Sequence, residues 1–299
     1  MRILLTGKTG QIGGKLVAAL GPLGELLACD RRRLDLADRA AISSVVREFA
    51  PDVIVNAAAY TAVDQAESEP ALAMAVNATA PGILADEALR IGAVLVHYST
   101  DYVFDGRKKE PYTEDDATNP LNAYGRTKLA GEDAIRASGA RHLILRTSWV
   151  YDASGKNFFV TIRRLAAERD ELKIVNDQIG APTWCRHIAT ATAAILARLV
   201  YQKELRSNDV SGVYNLTAEG AASWHEFAAA ILADRTVPPT EHRARLTPIP
   251  TSDYPTAAMR PHNSVLTHDK VQRTFGVRMP TWQAGLRACL DAQAQTLKD

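Results

Sequence analysis

Short apolar runs alternate with longer amphipathic segments through the first half of the chain. The runs at 53–55 and 94–96 are continuous and rich in β-branched residues, as expected for strands buried on both faces of a parallel sheet. Segments with helical periodicity separate these runs. The pattern predicts an α/β fold of the Rossmann type, in which helices cover both faces of a doubly wound parallel sheet.

The predicted elements follow one another in regular order. We expect strands at 2–6, 26–29, 53–56, 93–98 and 143–146 and helices at 11–20, 39–49, 71–90 and 123–137. After Trp149 the pattern loosens into helices at 158–168 and 185–201, an apolar run at 173–175, and prolines at 238, 239, 248, 250, 255 and 261. This predicts a main domain over 1–148, completed by parts of 170–200, and a smaller, irregular α/β lobe over 149–299 interleaved with it.

Composition excludes several classes of protein. Of 299 residues, 46% are hydrophobic and 23% charged, which is ordinary for a globular chain and excludes wholesale disorder. The net charge of +1 offers no broad field to nucleic acid or a membrane surface, and no apolar run is long enough to span a bilayer. The N-terminus has no signal-peptide pattern, and Cys29, Cys185 and Cys289 are too scattered for a disulfide framework. We therefore expect a cytoplasmic protein without nucleic-acid or membrane partners.

Three glycines follow the first predicted strand and open the first predicted helix. Gly7, Gly10 and Gly13 lie in the segment TGKTGQIG. Glycines at such a turn allow a tight bend, close approach of a pyrophosphate and close packing of helix on strand, while the helix N-terminus faces the anion. The position in the chain favours a dinucleotide-binding turn over a merely flexible one.

An acidic residue ends the second predicted strand. Asp30 follows the glycine turn at close to the spacing of about 20 residues expected for an acid that binds the adenosine ribose. An acid here favours NADH, but the adjacent Arg31, Arg32 and Arg33 suit either the 2′-phosphate of NADPH or a solvated loop. The sequence leaves the choice of cofactor open.

A tyrosine and a lysine lie one helical turn apart after the fourth predicted strand. Tyr124 and Lys128 share a helix face, and the preceding strand ends in Ser99, Thr100 and Asp101. The carboxyl ends of parallel strands form the binding crevice of such sheets, which places these hydroxyl and carboxyl groups beside the pair. The alternatives are an ordinary surface pair and a threonine that only satisfies backbone groups.

Together, the glycine turn, the strand-end threonine and the YxxxK pair resemble the extended short-chain dehydrogenase/reductase family. Further segments are similar to its dTDP-4-dehydrorhamnose reductase branch: PDVIVNAAAYTAVDQAESEP, VHYSTDYVFDG, NPLNAYGRTKLAGE, RTSWVY, NDQIGAPT and RPHNS. The resemblance implies that NADPH or NADH reduces the C4 ketone of dTDP-4-dehydro-β-L-rhamnose to give dTDP-β-L-rhamnose. This is the last step of dTDP-rhamnose biosynthesis, which supplies cell-wall polysaccharide, lipopolysaccharide or O-antigen.

The resemblance also implies roles for individual residues. Tyr124 donates the proton, Lys128 lowers the pKa of that phenol and binds the nicotinamide ribose, and Thr100 donates to the substrate carbonyl. Trp149 lines the sugar pocket or belongs to the core, and Arg260 binds the diphosphate or is solvated. Along the cofactor lie Gly7, Gly10, Gln11, Ile12, Gly13, Asp30, Asp35, Leu36, Ala59, Tyr60 and Thr61, while Thr100 and Asp101 contact the sugar nucleotide.

The sequence departs from the family at one site. Some members form a dimer around a magnesium ion held by glutamates on the first helix and just after GAPT, where this chain has Lys15 and Arg186. Two cations cannot replace oxygen ligands, so we expect no bound magnesium and a monomer, with a weak dimer as the alternative.

The sequence leaves two other functions open. An epimerase of nucleotide sugars shares the fold but recycles its cofactor, and a non-catalytic regulatory subunit shares it without reducing anything. A 4,6-dehydratase is disfavoured, because that family has Asp-Glu after the strand-end threonine, whereas Asp101 is followed here by Tyr102.

Overall fold

The structure is a computed structural model that describes residues 1–202, 207, 209–233 and 244–296. Its strands, in chain order, are β1 (Arg2–Thr6), β2 (Glu25–Cys29), β3 (Val53–Asn56), β4 (Val94–Thr100), β5 (His142–Thr147), β6 (Val150–Tyr151), β7 (Glu171–Val175), β8 (Ile179–Gly180), β9 (Thr183–Trp184), β10 (Gly212–Asn215), β11 (Ala222–Ser223) and β12 (Arg245–Ile249). Its helices are α1 (Gln11–Leu20), α2 (Arg39–Phe49), α3 (Gln65–Ser68), α4 (Pro70–Met74), α5 (Ala80–Ile91), α6 (Ala123–Ser138), α7 (Phe158–Glu168), α8 (Cys185–Tyr201), α9 (Trp224–Ala233), α10 (Asp269–Phe275) and α11 (Trp282–Thr296).

Among the described residues, six parallel strands form the central sheet in the order β10-β5-β4-β3-β1-β2. Every residue of β3 and β4 is buried, as the continuous apolar runs predicted. One hydrophobic core lies on each face of the sheet, the first including α1 and α8 and the second including α2 and α5. The prediction of a doubly wound, Rossmann-type α/β fold is therefore confirmed.

The predicted helix at 71–90 is interrupted by a wider turn. Between α4 and α5, Ala75–Thr79 forms a π-helical turn, a feature common at functional sites. This turn presents Asn77, whose side chain accepts from the Tyr60 backbone N–H at 2.8 Å and donates to the Tyr60 carbonyl at 3.0 Å. The turn thereby fixes the loop that follows β3.

The sixth strand comes from beyond the expected segment. Strand β10 pairs with β5, although the sequence placed its residues in the smaller lobe and expected 170–200 to complete the main domain. Within that range, α8 packs on α1 and in the core of the sheet, whereas β7 pairs with β12 away from it. The apolar run in β7 thus found a parallel partner in the lobe. Pro238 and Pro239 lie outside the described residues.

The smaller lobe has an aromatic core of its own. Tyr151, Phe159, Trp184, Phe227 and Trp282 form its centre. Two partly buried residues, Ile12 on α1 and Val150 on β6, contact both this core and that of the main sheet. The lobe therefore packs against the carboxyl end of the sheet. Of the helices in the described ranges, none combines the length and apolar character needed to cross a bilayer.

Candidate active site

The glycine turn connects β1 to α1, and its backbone atoms pack closely against one another. Gly7 has φ +73°, and its carbonyl accepts from the Gly10 N–H at 2.9 Å. A Cβ at Gly13 would lie 1.9 Å from the Gly7 carbonyl oxygen, so a side chain cannot fit there. No side chain caps the N-terminus of α1, which leaves its first N–H groups available to an anion.

A cleft of about 750 Å³ opens at the carboxyl end of the sheet, between the main sheet and the lobe. Most of the predicted site residues line it: Gly7, Gly10, Gln11, Ile12, Asp35, Leu36, Ala59, Tyr60, Thr61, Thr100, Asp101, Tyr124, Lys128 and Trp149. The predicted Gly13, Asp30 and Arg260 are not among the lining residues. In this part of the chain, the buried Gln11 Oε1 lacks a hydrogen-bond partner among the described residues, so the cleft presents an unused acceptor beside the glycine turn.

Charged groups gather in the loop after β2, beside one end of the cleft. Asp30 accepts from the Arg33 N–H at 3.1 Å and lies 3.4 Å from the Lys8 ammonium. The Arg33 hydrogen bond in particular holds the pKa of Asp30 below its usual value. Arg31 lines the cleft and donates to Asp35 at 3.2 Å. Of the three arginines in this loop, only Arg31 is a lining residue in the described structure.

Helix α6 begins with several anchors that fix the position of Tyr124. Asn122 caps the helix by accepting from the Gly125 N–H at 2.8 Å, and Glu67 accepts from the Ala123 N–H at 2.7 Å. A Cβ at Gly125 would lie 2.2 Å from the Tyr102 carbonyl oxygen. The missing side chain therefore lets α6 approach the turn after β4 closely, and this approach brings Tyr124 beside Thr100.

The Tyr124 phenol is protonated at neutral pH. Burial raises its pKa to about 12, while a hydrogen bond with Thr100 acts in the opposite direction. We expected the Lys128 ammonium to lower this pKa, and the structure differs. Lys128 is itself buried, which lowers its own pKa to about 7. Its Nζ donates to the Tyr98 carbonyl at 2.6 Å and lies 3.0 Å from His97 Nε2, so it is directed towards β4.

The hydroxyl of Thr100 is directed at a carboxylate. Its Oγ1 donates to Asp101 Oδ1 at 3.0 Å and accepts from the Tyr102 N–H at 3.2 Å. The other oxygen of Asp101 accepts from Ser148 at 2.9 Å. We expected Thr100 to donate to the substrate; here its proton lies on the side of Asp101, which is a stronger acceptor than a neutral carbonyl.

Two tryptophans stack at the lobe side of the cleft. The rings of Trp149 and Trp224 have centroids 3.5 Å apart and are nearly parallel, at 4°. Trp149 has φ +45°, and a Cβ at Gly180 would lie 2.4 Å from its ring. Trp149 therefore lines the cleft, one of the two alternatives left by the sequence. Trp224 was missed; its only sequence signal is an aromatic residue at the start of a helix in the lobe.

Other cleft residues were also missed by the sequence analysis. They are Thr9, Ala57, Ala58, Tyr102, Thr147, Gly155, Lys156 and Asn157, among others. The polar segment at 155–157 follows the RTSWVY block, which is a signal that could have found it. Of the other named residues, Thr147 ends β5, and the remainder lie in the turns after β1, β3 and β4, whose position depends on the packed fold.

Arg260 forms a bidentate ion pair instead of lining the cleft. Its two terminal nitrogens lie 2.8 and 2.6 Å from the carboxylate oxygens of Asp64. This hydrogen bonding keeps the pKa of Asp64 below its ordinary value, ahead of the opposing effect of burial. The pair joins the loop after β3 to the RPHNS segment.

Lys15 and Arg186, at the positions where the resemblance implies metal-binding glutamates, both contact other side chains of this protein. The Lys15 ammonium lies 2.8 Å from Asp152, and the Arg186 guanidinium lies over the Trp184 ring, 4.9 Å from its centroid. Across the described ranges there is no group of three or more His, Cys, Asp or Glu side chains that could hold a metal ion.

Comparison with known proteins gives consistent matches over nearly the whole chain. A family model described as the RmlD substrate binding domain matches residues 1–295. A dTDP-4-dehydrorhamnose reductase from Burkholderia thailandensis is 48% identical over 293 residues, which are 97% of this chain and 98% of that protein. One from Escherichia coli K12 is 46% identical over 97% of each chain. The crystal structure of one from Bacillus anthracis, in complex with NADP, has a TM-score of 0.86 at 34% identity and covers 97% of this chain and 99% of its own. The chain belongs to the dTDP-4-dehydrorhamnose reductase family.

Proposed function

We propose that this protein uses NAD(P)H to reduce the C4 ketone of dTDP-4-dehydro-β-L-rhamnose to dTDP-β-L-rhamnose. The observation that carries the proposal is the arrangement of Thr100, Tyr124 and Lys128 along one wall of a single cleft that also contains the glycine turn. The names of the relatives, which are dTDP-4-dehydrorhamnose reductases, support the same reaction and substrate.

The residues at the sheet side of the cleft fit a dinucleotide. The free N-terminus of α1 and the glycine turn suit a pyrophosphate, and Gln11 brings an unpaired buried acceptor. Along the rest of the cofactor we place Asp35, Leu36, Ala59, Tyr60 and Thr61, all of which line the cleft. When bound, NAD(P)H supplies the hydride. We propose a preference for NADPH, because the cleft-lining Arg31 offers a guanidinium to a 2′-phosphate.

Tyr124 holds the proton that the reduction requires. Because burial raises the pKa of its phenol to about 12, the group carries its proton at neutral pH until a stronger base forms beside it. The oxygen of the ketone becomes that base as the hydride arrives. As the phenolate forms, the Thr100 hydroxyl turns its one proton from Asp101 to Tyr124 and stabilises the anion, and Lys128 supplies positive charge in the same cleft.

The reacting end of the cleft and its lobe side suit the sugar nucleotide. Thr100 and Asp101 lie at the reacting end, and Trp149 with Trp224 offers flat apolar surface at the lobe side. Arg260 is proposed as a diphosphate ligand because a guanidinium suits bidentate phosphate binding. In that role it exchanges the Asp64 carboxylate for the phosphate.

The test is reduction of the proposed substrate by the purified protein. The ketone is generated in situ by the upstream enzymes, and consumption of NADPH and NADH is followed in parallel. We expect Tyr124→Phe to lower kcat by at least about 10²-fold, as for loss of a general acid, with cofactor binding retained. Tyr201→Phe is the matched control, because Tyr201 is 89% exposed at the end of α8.

Two other outcomes of this experiment would contradict the proposal. Full activity of Tyr124→Phe would contradict the role of the phenol. Binding of cofactor without net consumption by the wild-type protein would contradict the reductase and favour an epimerase, which recycles its cofactor, or a regulatory subunit.

We also propose that the protein is a monomer that needs no magnesium. The support is that Lys15 and Arg186 bring positive charge to the positions where the family resemblance would place metal-binding glutamates, and that Lys15 is paired with Asp152. Light scattering in the presence of magnesium and of EDTA should give one monomeric mass of about 32.5 kDa. A dimer that EDTA dissociates would overturn the proposal.

A further inference from the structure

A chain of buried polar side chains runs through the sheet to Lys128. The Thr6 hydroxyl lies 2.7 Å from Asn56 Oδ1, Asn56 Nδ2 lies 3.0 Å from His97 Nδ1, and His97 Nε2 lies 3.0 Å from Lys128 Nζ. All four side chains belong to residues that are at most 1% exposed. Lys128 lines the cleft, whereas Thr6, Asn56 and His97 lie behind it in neighbouring strands.

Hydrogen-bond chemistry links the states of these groups. A neutral imidazole has one donor and one acceptor, and an ammonium only donates. A charged Lys128 therefore requires His97 Nε2 to accept, which puts the proton on Nδ1 and requires an acceptor from Asn56. Rotation of the Asn56 amide by about 180° supplies this acceptor and turns its NH₂ group to the Thr6 oxygen. With the amide in the other orientation, Nε2 carries the proton and Lys128 must be a neutral amine.

We propose that His97 is a positioning residue for Lys128 in the ketone reduction: its Nε2 accepts a hydrogen bond from the Lys128 ammonium, and Asn56 holds the imidazole in the orientation this requires. The proposal rests on the proposed function for its link to catalysis. Without this acceptor, the Lys128 ammonium would keep only the Tyr98 carbonyl as a fixed partner on β4.

The surroundings keep His97 neutral and make Lys128 sensitive to the loss of an acceptor. Burial, and then the charge of Lys128, hold the pKa of His97 well below its ordinary value. Burial lowers the pKa of Lys128 to about 7, against the opposing charge of Glu132. Among the titratable groups, Glu132 on α6 acts on the charge of Lys128, and His97 and Tyr98 contact its ammonium from β4. Tyr124 and Asp101 line the same cleft, and Arg146 on β5 is paired with Glu132.

Two substitutions of His97 test the roles of its two ring nitrogens separately. The amide of His97→Gln reaches the position of Nε2 and keeps an acceptor for Lys128, whereas the shorter amide of His97→Asn reaches only Nδ1 and keeps the partner of Asn56. We expect His97→Asn to lower kcat about 10- to 100-fold, as misplacement of a catalytic group does. We also expect the alkaline limb of its kcat–pH profile to move down by about one pH unit, since the ammonium has lost an acceptor. His97→Gln should restore both.

Equal losses in both variants with an unmoved alkaline limb would overturn the proposal, because a packing role alone predicts that result. Full activity of His97→Asn would overturn it as well. The fold of each variant is checked by its thermal unfolding.

The wild-type protein provides a test that depends on neither variant folding. Nitrogen-15 NMR of labelled histidines reports which ring nitrogen carries the proton, and the His97 signal is assigned by eliminating the signals of the other six of the seven histidines. We expect a proton on Nδ1 and none on Nε2; the reverse would overturn the proposal. Because this measurement needs no substrate, a protein with the expected tautomer but without ketone reduction would contradict the proposed function and leave the His97–Lys128 contact supported.

Discussion

Asp101 carries a buried carboxyl group directly behind Thr100. The residue is 2% exposed and accepts hydrogen bonds from Thr100 and Ser148. Burial raises its pKa to about 6, and the hydrogen bonds, including one from Ser264, limit the rise. The carboxylate is therefore kept charged at neutral pH at a cost in stability, which is typical of a group held for its role in a site.

We expect this cost to appear in the pH dependence of unfolding. Because the pKa of Asp101 is higher in the folded state than the ordinary carboxyl value of 3.8, its stabilising contribution is present below about pH 4 and is lost as pH rises through about 6. The whole rise in pKa corresponds to about 3 kcal/mol, of which about 2 kcal/mol falls between pH 4 and 7. Over that range the wild-type protein should lose about 2 kcal/mol of unfolding free energy relative to Asp101→Asn, measured by urea denaturation.

The control for this prediction is Asp253→Asn, because Asp253 is exposed on the surface. It should follow the wild-type pH profile. An Asp101→Asn profile parallel to that of the wild type would contradict the raised pKa.

Helix α6 carries both Tyr124 and Lys128 and is tied to the sheet by a buried ion pair. Glu132 on α6 and Arg146 on β5 form a bidentate pair with distances of 2.9 and 2.7 Å, and Ser99 on β4 donates to Glu132 at 2.5 Å. The charged side chains are at most 1% exposed. The pair therefore fixes the orientation of the helix against two strands.

Removal of one partner should be strongly destabilising. Arg146→Met leaves the Glu132 carboxylate buried without its cation, so we expect a loss of about 3–5 kcal/mol in the free energy of unfolding. Arg164→Met, in the exposed pair with Glu168 on α7, should change it by less than about 1 kcal/mol. Urea denaturation measures both. The double variant Arg146→Met, Glu132→Leu should recover part of the loss, and a loss of under about 1 kcal/mol for Arg146→Met alone would contradict the prediction.

At the scale of the whole molecule, the ion pair of Lys15 with Asp152 joins the main domain to the lobe. Lys15 on α1 lies 2.8 Å from Asp152, which follows β6 and also accepts from the Trp184 indole N–H at 2.9 Å. Burial alone would raise the pKa of Asp152; the hydrogen bonds from Lys15 and Trp184 outweigh it and lower the pKa. The pair therefore holds the lobe against helix α1, whose first residues line the cleft.

Lys15→Met should weaken this junction in a pH-dependent way. Since the pKa of Asp152 is lowered by folding, its contribution is present above the ordinary carboxyl range and is lost as pH falls through the folded pKa. We expect a loss of about 1–3 kcal/mol at pH 7 that shrinks under acid conditions, measured by denaturant unfolding of wild type and variant at each pH. Lys109→Met, at an exposed position, is the control. An unchanged difference between pH 3 and 7 would count against the ion pair.

The sequence by itself determined most elements of the main domain and part of the cleft wall. The apolar runs and helical periodicity predicted β1–β5 and their helices, because these patterns are local and β3 and β4 are buried along their whole length. Thr100, at the end of its strand, could be assigned to the cleft because the carboxyl ends of parallel strands meet at one edge of a sheet. The helical spacing of Tyr124 and Lys128 placed this pair beside it, and the family resemblance added their catalytic roles and Tyr60.

Only the tertiary structure decided the features that depend on contacts between distant segments. Strand β10 joins β5, and Trp224 stacks on Trp149, through pairings that have no local signal. The rise in the pKa of Tyr124, in place of the expected fall, follows from burial and from the direction in which Lys128 points. Local sequence sets which backbone conformation is favourable, whereas burial and hydrogen-bond partners exist only once the chain has packed.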